Sequence, residues 1–203
     1  MLHSDNIPVL LLTGYLGSGK TTLLNRILSN RKGIRFAVIV NDIGEVNIDA
    51  ELIQKGGVVA QQDDSLIALQ NGCICCSLKM DLVQQLRDLC ATNQFDYIVI
   101  EASGICEPAP IAQTISSYPS MVPASSAPIP VLDAIVSVVD ALRLRDEFMV
   151  QLSSISNNSL PIAKAEDLAS LVIEQIEFCN LILLNKVSEV NEEERKQIIS
   201  IIR

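Results

Sequence analysis

Residues 14–21 read Gly-Tyr-Leu-Gly-Ser-Gly-Lys-Thr, and this stretch decides the fold. It satisfies the pattern G-x-x-x-x-G-K-[ST] at every fixed position. Before it runs an apolar segment, residues 7–12, and after it runs a segment with apolar residues at 23, 24, 27 and 28. A buried strand, a glycine-rich turn and an amphipathic helix are therefore predicted in that order. A phosphate-binding loop requires a strand before it and a helix after it. An incidental glycine-rich turn would not explain this arrangement.

Each residue type in the stretch suits one part of a nucleotide. The three glycines let backbone N–H groups point at phosphate oxygens, and the helix that follows adds the positive end of its dipole. Lys20 is expected to contact the β- and γ-phosphates and to assist catalysis, and the Thr21 hydroxyl is expected to hold Mg²⁺. We therefore predict a purine nucleoside triphosphate site whose binding residues include Gly14, Gly17, Ser18, Gly19, Lys20, Thr21 and Thr22.

The composition restricts the partners. A chain of 203 residues has the length of one large domain or two small ones, and we expect a single nucleotide-binding domain over 1–203. Its net charge of −9 argues against nucleic acid or an anionic membrane as the main partner. We find neither a signal-peptide pattern nor an apolar run that could span a membrane, and therefore expect a cytoplasmic protein. Its six cysteines are then expected to be thiols or metal ligands.

Five apolar segments alternate with helical patterns along the chain. The five predicted buried strands are 7–12, 35–41, 95–100, 134–139 and 181–184, and residues 56–62 predict a turn and a further short strand. The alternation predicts an α/β phosphate-loop NTPase fold, with a mostly parallel sheet covered by helices on both faces. Ligands of such sheets bind at the carboxyl ends of the strands. The segments 14–21, 101–104 and 185–188 all follow strands directly, so we expect them to meet at one edge.

Acidic residues supply the candidate catalytic groups. Glu101 ends a strand, and it is expected to hold Mg²⁺, while the Gly104 amide is expected to sense the γ-phosphate. The segment after the second strand carries Asp42, Glu45 and Asp49. It is either a mobile loop that brings an acid to Mg²⁺ or to the attacking water, or an ordinary solvated loop. Glu45, Asp49 and Glu101 remain alternatives for positioning the water.

Three cysteines stand within four residues, in Asn71-Gly-Cys-Ile-Cys-Cys-Ser77. Thiolates suit a soft or borderline ion, so Cys73, Cys75 and Cys76 are predicted to bind Zn²⁺ or Co²⁺. The alternative is a buried loop that is merely rich in cysteine. Because the chain has one histidine, we expect a carboxylate, water, another cysteine or a partner protein to complete the site.

In this order, the motifs resemble those of the CobW-like metallochaperone GTPases, which are related to the nickel-insertion GTPases of urease and hydrogenase maturation. The matching pieces are GYLGSGKTTLLN at 14–25, NDIGEVNIDAELI at 41–53, NGCICCSL at 71–78, EASGICEPAPIAQT at 101–114, LDAIVSVVDA at 132–141 and EQIEFCNLILLNK at 174–186.

The resemblance implies slow GTP hydrolysis coupled to metal binding, with delivery of the ion to a client metalloprotein or a cofactor pathway. It implies phosphate binding by Gly17, Gly19 and Lys20, Mg²⁺ binding by Thr21, and transition-metal binding by the three cysteines. Asn185 and Lys186 match the base-reading motif of the family, and a homodimer is a candidate assembly.

Three departures from the family pattern affect these expectations. Ser188 stands where the motif N-K-x-D has Asp, so GTP and ATP remain alternatives. Asp42 follows Asn41 where the family text has Glu, which keeps the carboxylate on a shorter arm. The chain ends at Arg203, where family members continue, so it is either a fragment or a minimal member that needs another chain. The alternative function is a nucleotide-dependent regulatory binding module with a structural metal site.

Overall fold

The computed structural model describes residues 6–29, 33–41, 66–71, 79–123, 127–146 and 163–202. Six strands lie in these ranges: β1 Asn6–Thr13, β2 Phe36–Asn41, β3 Leu66–Asn71, β4 Tyr97–Glu101, β5 Ile129–Asp140 and β6 Leu181–Asn185. The α-helices are α1 Lys20–Leu28, α2 Lys79–Thr92, α3 Pro108–Met121, α4 Ala141–Leu144, α5 Ala163–Glu177 and α6 Glu192–Ile201, with a short 3₁₀ helix over Val187–Glu189.

The strands form one sheet in the order β3-β2-β4-β1-β5-β6. Each of the five pairings between these strands is parallel. β1 lies inside the sheet between β4 and β5, so the loop that follows β1 has the ends of two other strands beside it. The predicted α/β architecture is confirmed.

Alternate residues of the strands pack against helices on opposite faces of the sheet. Val9 and Leu11 of β1 belong to a buried cluster with α2 and α3. Leu12 of the same strand belongs to a cluster on the other face with Leu24 of α1. Because side chains alternate along a strand, one apolar strand supplies both layers of the core. A third cluster joins the end of β5 to α4, α5 and α6.

The structure differs from the predicted elements at β3. Its six residues pair with β2 over their full length, from Phe36 opposite Leu66 to Asn41 opposite Asn71. The sequence Leu-Ile-Ala-Leu-Gln-Asn has few β-branched residues, so local propensity is weak and the pairing with β2 decides its conformation. The short strand predicted within 56–62 lies outside the described residues.

Residues 118–130 include four prolines and several serines, which predicts a loop over this whole segment. The structure differs from this prediction at both ends of the segment. Helix α3 continues through Pro119 to Met121, and β5 already begins at Ile129. Tyr118 is buried in the core beneath this last turn, which offsets the unfavourable effect of a proline near a helix end.

At the end of the described chain, the sequence predicts Asn191 as the N-cap of a helix that runs to about Ile202. The structure confirms this cap, since α6 begins at Glu192. The Asn191 side chain accepts hydrogen bonds from the backbone of Glu193 and Glu194, and the Glu194 side chain accepts one from the Asn191 backbone. This capping box satisfies amide groups that the first turn leaves unpaired. No helix in the described ranges is long and apolar enough to cross a membrane.

Candidate nucleotide-binding site

The loop between β1 and α1 lies directly against the ends of two strands. A Cβ atom at Gly14 would lie 2.3 Å from the Val138 carbonyl oxygen of β5, and Gly14 has a φ of 132°. A Cβ atom at Gly19, whose φ is 105°, would lie 2.3 Å from Nδ2 of Asn185. Both glycines are therefore required by close approach and by backbone conformation together.

Asn185 connects the end of β6 to this loop. Its Nδ2 donates a hydrogen bond of 2.8 Å to the Ser18 carbonyl oxygen. Gly19 is the N-cap of α1, so the bond holds the backbone immediately before the first turn of that helix. The predicted nucleotide-binding residues Ser18, Gly19 and Asn185 thus lie together.

Lys20 folds over the loop. It is buried, and its Nζ donates to the carbonyl oxygens of Gly14 at 2.8 Å and Tyr15 at 3.3 Å. A phosphate oxygen is a stronger acceptor than a carbonyl oxygen for an ammonium group. The position of Lys20 over the loop backbone therefore suits binding of the phosphates of a nucleotide.

Thr21 and Glu101 meet although 80 residues separate them. The Thr21 hydroxyl donates a hydrogen bond of 2.9 Å to Oε1 of Glu101, and Glu101 is only 4% exposed. β1 and β4 are neighbours, with Leu12 opposite Glu101, so the register of the sheet places this carboxylate beside the first turn of α1. A hydroxyl and a carboxylate are hard oxygen donors, which fits Mg²⁺.

The loop after β4 lies against the tip of the phosphate loop. A Cβ atom at Gly104 would lie 2.5 Å from the backbone nitrogen of Leu16 and 2.8 Å from its Cα. Behind Gly104, the Cys106 amide donates to the Ser103 carbonyl oxygen at 3.0 Å and closes a turn. Gly104, which was predicted to sense the γ-phosphate from its place after Glu101, is therefore adjacent to the phosphate loop.

Lys186 pairs with Asp140, a residue that the sequence analysis did not single out. Its Nζ contacts Oδ2 of Asp140 at 2.5 Å. The Asp140 side chain also accepts a hydrogen bond from the Arg143 backbone nitrogen and so caps α4. Asp140 ends a buried strand in the same way as Glu101, so its position at a strand end could have indicated a site residue from the sequence.

Arg143 and Tyr15 form a second contact that the sequence did not indicate. The Arg143 guanidinium lies 4.1 Å from the centre of the Tyr15 ring, and its Nη1 donates to the Leu16 carbonyl oxygen at 3.1 Å. Cation–π contact and hydrogen bond together hold the tip of the phosphate loop against α4.

Beneath these residues lies a small cavity between β5, α4 and α5, which Tyr15, Ser137, Asp140, Arg143, Val172 and Gln175 help to line. The Ser137 hydroxyl is buried there and makes no hydrogen bond within the part of the chain that the structure describes.

A family profile described as "CobW/HypB/UreG, nucleotide-binding domain" matches residues 8–203. The chain belongs to this family. The "Zinc-regulated GTPase metalloprotein activator 1" of Dictyostelium discoideum is 38% identical over 98% of this chain and 44% of its own length. The "Zinc chaperone YjiA" of Escherichia coli is 36% identical over 93% of this chain and 52% of its own length. The chain thus spans about half the length of these curated relatives.

Solved structures of the CobW/HypB/UreG family share the fold. A crystal structure of a zinc-bound triple mutant of the YjiA GTPase superimposes with a TM-score of 0.57 and 29% identity, over 96% of this chain and 54% of that one. The hydrogenase maturation factor HypB from Archaeoglobus fulgidus superimposes with a TM-score of 0.53 at 16% identity, over 98% of this chain and 77% of that one, which concerns the fold alone.

Several predicted site residues of this family member lie outside the described residues: Asp42, Glu45, Asp49, Cys73, Cys75 and Cys76. Thr22 is exposed on the first turn of α1. Within the described ranges, no three His, Cys, Asp or Glu side chains are grouped as metal ligands would be.

The three cysteines within the described ranges differ in state. Cys106 is buried and disulfide-bonded, which differs from the expectation that the cysteines are thiols or metal ligands. Cys90 and Cys179 are free thiols. Burial raises the pKa of Cys90 to about 11 and also raises the pKa of Cys179. Both free thiols are therefore protonated near neutral pH, which makes them poor metal ligands.

Proposed function

We propose that this chain is the nucleotide-binding domain of a GTP-hydrolysing metallochaperone, and that residues 1–203 form this single domain. The observation that carries the proposal is the hydrogen bond between Thr21 and Glu101, beside a Lys20 that folds over the phosphate loop. Phosphoryl transfer requires a hydroxyl, a carboxylate and an ammonium group of this kind, and their grouping at the phosphate loop supports the proposal.

In this proposal Lys20 binds the β- and γ-phosphates, and the backbone of Gly14–Gly19 surrounds them. Thr21 and Glu101 hold Mg²⁺, which when bound neutralises charge on the phosphate oxygens. The Gly104 amide contacts the γ-phosphate, because its loop already lies against Leu16. The residue that positions the attacking water is one of Glu45, Asp49 and Glu101.

We propose that Asn185 and Lys186 flank the base of the nucleotide. The first holds the Ser18 carbonyl and the second pairs with Asp140. We propose GTP as the substrate, since relatives are named as GTPases. ATP stays an alternative, because Ser188 cannot offer guanine the charged two-oxygen acceptor of an aspartate.

We further propose that Cys73, Cys75 and Cys76 bind zinc, or cobalt in its place, as cargo. The support is the thiolate chemistry of the three side chains and the zinc named for relatives of this chain. Delivery to a client metalloprotein and assembly as a homodimer remain predictions.

A metal titration tests the proposal. Reduced protein is titrated with Co²⁺ and Zn²⁺, with and without Mg²⁺ and a non-hydrolysable GTP analogue, and GTP turnover is measured in parallel. We expect thiolate–Co²⁺ absorption that depends on the nucleotide and disappears in Cys75→Ala. Cys179→Ala is the matched control, because it removes a free, protonated thiol outside the motif. Absorption of equal strength with and without the nucleotide would instead indicate a regulatory module with a structural metal. Absence of GTP turnover would contradict the proposed GTPase activity.

A further inference from the structure

Gln175 is a buried polar side chain that the proposed chemistry does not use. It lies on α5 and is 1% exposed. Its Nε2 donates to the carbonyl oxygen of Cys106 at 3.2 Å and, more weakly, to that of Gly104 at 3.4 Å. A buried amide is stable only when its hydrogen bonds are made, so these contacts specify where α5 lies relative to the loop after β4. We call this pair of hydrogen bonds the Gln175 clip.

The loop in the clip has the phosphate loop on its other side. The Gly104 backbone is so close to Leu16 that a Cβ atom would lie 2.5 Å from the Leu16 nitrogen. The turn from Ser103 to Cys106 is closed by its own hydrogen bond of 3.0 Å. The loop therefore lies between the tip of the phosphate loop and α5, in contact with both.

α5 is also connected to the phosphate loop by a second route. The chain leaves α5 through Asn180, whose backbone and side chain both bond to Ile135 of β5. It then forms β6, which ends at Asn185, and Asn185 donates to the Ser18 carbonyl oxygen. Two routes therefore connect the phosphate loop to α5. One runs from Leu16 through Gly104 and the Gln175 clip, and the other runs from Ser18 through Asn185 and β6. We call these two routes together the circuit.

We propose that Gln175 is a positioning residue that couples the γ-phosphate to α5. This inference rests on the proposed function, because it requires a nucleoside triphosphate in the site. The clip holds the loop after β4 in place before a nucleotide binds, so a γ-phosphate that uses the Gly104 N–H meets a loop that is already ordered. Without the clip, GTP binding would also have to order this loop. By reciprocity, a bound γ-phosphate stabilises the contact between the loop and α5.

The clip itself is tested without any nucleotide. Gln175→Met keeps an unbranched side chain of similar length and removes both donors. The hydrogen exchange of the Cys106 amide, which closes the turn of this loop by donating to the Ser103 carbonyl oxygen, is measured in this variant. We expect it to be about tenfold faster than in the wild type, because the turn loses the support of the hydrogen bonds from Gln175. Val172→Ala is the matched control, because it removes buried volume from the same helix and the same cavity. Unchanged exchange in Gln175→Met, or equal acceleration in Val172→Ala, would overturn the clip.

The coupling is tested by comparing nucleotides. We measure the Kd of a GTP analogue and of GDP for the same three proteins in Mg²⁺. Gln175→Met is expected to weaken the GTP analogue about tenfold and to leave GDP unchanged, since GDP has no γ-phosphate to hold the loop. A purely structural role would weaken both nucleotides equally and would overturn the coupling.

Two further outcomes are distinguishable. If Gln175→Met does not fold, Gln175→Asn replaces it, because it keeps the amide on an arm one carbon shorter. The same selective loss of affinity for the GTP analogue is expected. An equal loss of affinity for both nucleotides again overturns the coupling. A wild-type chain that binds neither nucleotide overturns the proposed function and the coupling with it, while exchange at Cys106 still decides whether the clip exists.

Discussion

At the scale of single residues, the site depends on side chains whose partners are far away in the sequence. Glu101 is an acid at the end of a strand, and by itself that position indicates only a candidate metal ligand. Its contact with the Thr21 hydroxyl, at 2.9 Å, gives that position a chemical meaning. Because both oxygens are hard donors, they are suited to a magnesium ion that accompanies the phosphates.

Glu101→Gln keeps the size of this side chain and removes its charge. We expect Mg²⁺-dependent GTP turnover to fall by about a hundredfold or more, the effect typical of losing a group that stabilises transition-state charge. Nucleotide binding without Mg²⁺ should be retained. Glu107→Gln, an exposed acid of the same loop, is the control and should behave as the wild type. Turnover that survives in Glu101→Gln would remove this residue from the proposed metal site.

Ser188 allows a second test at this scale. It lies in the 3₁₀ helix directly after Lys186. Ser188→Asp supplies the charged acceptor of the family motif, and we expect affinity for GTP relative to ATP to rise about tenfold, as for a charge-assisted pair of hydrogen bonds. Competition of both nucleotides against a fluorescent analogue measures the ratio. Ser188→Asn, which lacks the charge, should change it less, and an equal effect of both variants would contradict the explanation.

At the scale of elements, the site forms where strands end. The ends of β1, β4, β5 and β6 carry the phosphate loop, Glu101, Asp140 and Asn185 in neighbouring positions of the sheet. A parallel sheet brings all these ends to one edge, so residues from four separate segments meet without any of them being close in sequence. To form the site, the loops between strand and helix then only need to be short and to pack closely against one another.

Gly104→Ala tests how closely two of these loops pack. The added methyl group would overlap backbone atoms of Leu16, so we expect a loss of about 1–3 kcal/mol in the free energy of unfolding, as for an overpacked site. Affinity for a GTP analogue should fall as well. Gly33→Ala, where nothing lies within 4 Å of the added Cβ, should change stability through its positive φ alone and leave nucleotide affinity intact. Urea denaturation and nucleotide titration measure the two effects, and a wild-type free energy of unfolding in Gly104→Ala would contradict the close packing.

At the scale of the whole molecule, the circuit through Gly104, Gln175 and β6 links the layer that holds α5 to the phosphate loop. Nucleotide binding is therefore expected to affect more of the molecule than the loop that contacts the nucleotide. The third hydrophobic cluster, formed by the end of β5 with α4, α5 and α6, lies along this circuit. A ligand that fixes the phosphate loop is expected to stabilise this layer together with the rest of the sheet.

Thermal denaturation tests this expectation. A GTP analogue at a hundred times its Kd stabilises the folded state by about 2.7 kcal/mol. For a chain of this length that corresponds to a rise in Tm of about 5–10 °C. Lys20→Ala removes the ammonium group from the loop and should abolish most of the rise. A single transition that shifts as a whole would agree with the circuit, whereas a shift confined to one of two transitions would contradict it.

Much of this arrangement could be predicted from sequence because its signals are local. The strand, loop and helix around residues 14–21 follow from apolar periodicity and glycine placement within one short window. Strand ends at Glu101 and Asn185 mark candidate site residues in the same way. In contrast, β3 and the last turn of α3 were missed, because their conformation depends on pairing with β2 and on burial of Tyr118 rather than on local propensity.

The sequence by itself determined the fold class, the phosphate loop and the cysteine motif, since each depends on residue types at fixed spacing along the chain. Only the tertiary structure decided which of these segments touch. The register between β1 and β4 brings Glu101 to Thr21, and the packing of α5 brings Gln175 to the carbonyl oxygens of Gly104 and Cys106. Such contacts join residues about 70 to 80 positions apart, and their geometry depends on the order of strands in the sheet, which no local pattern encodes.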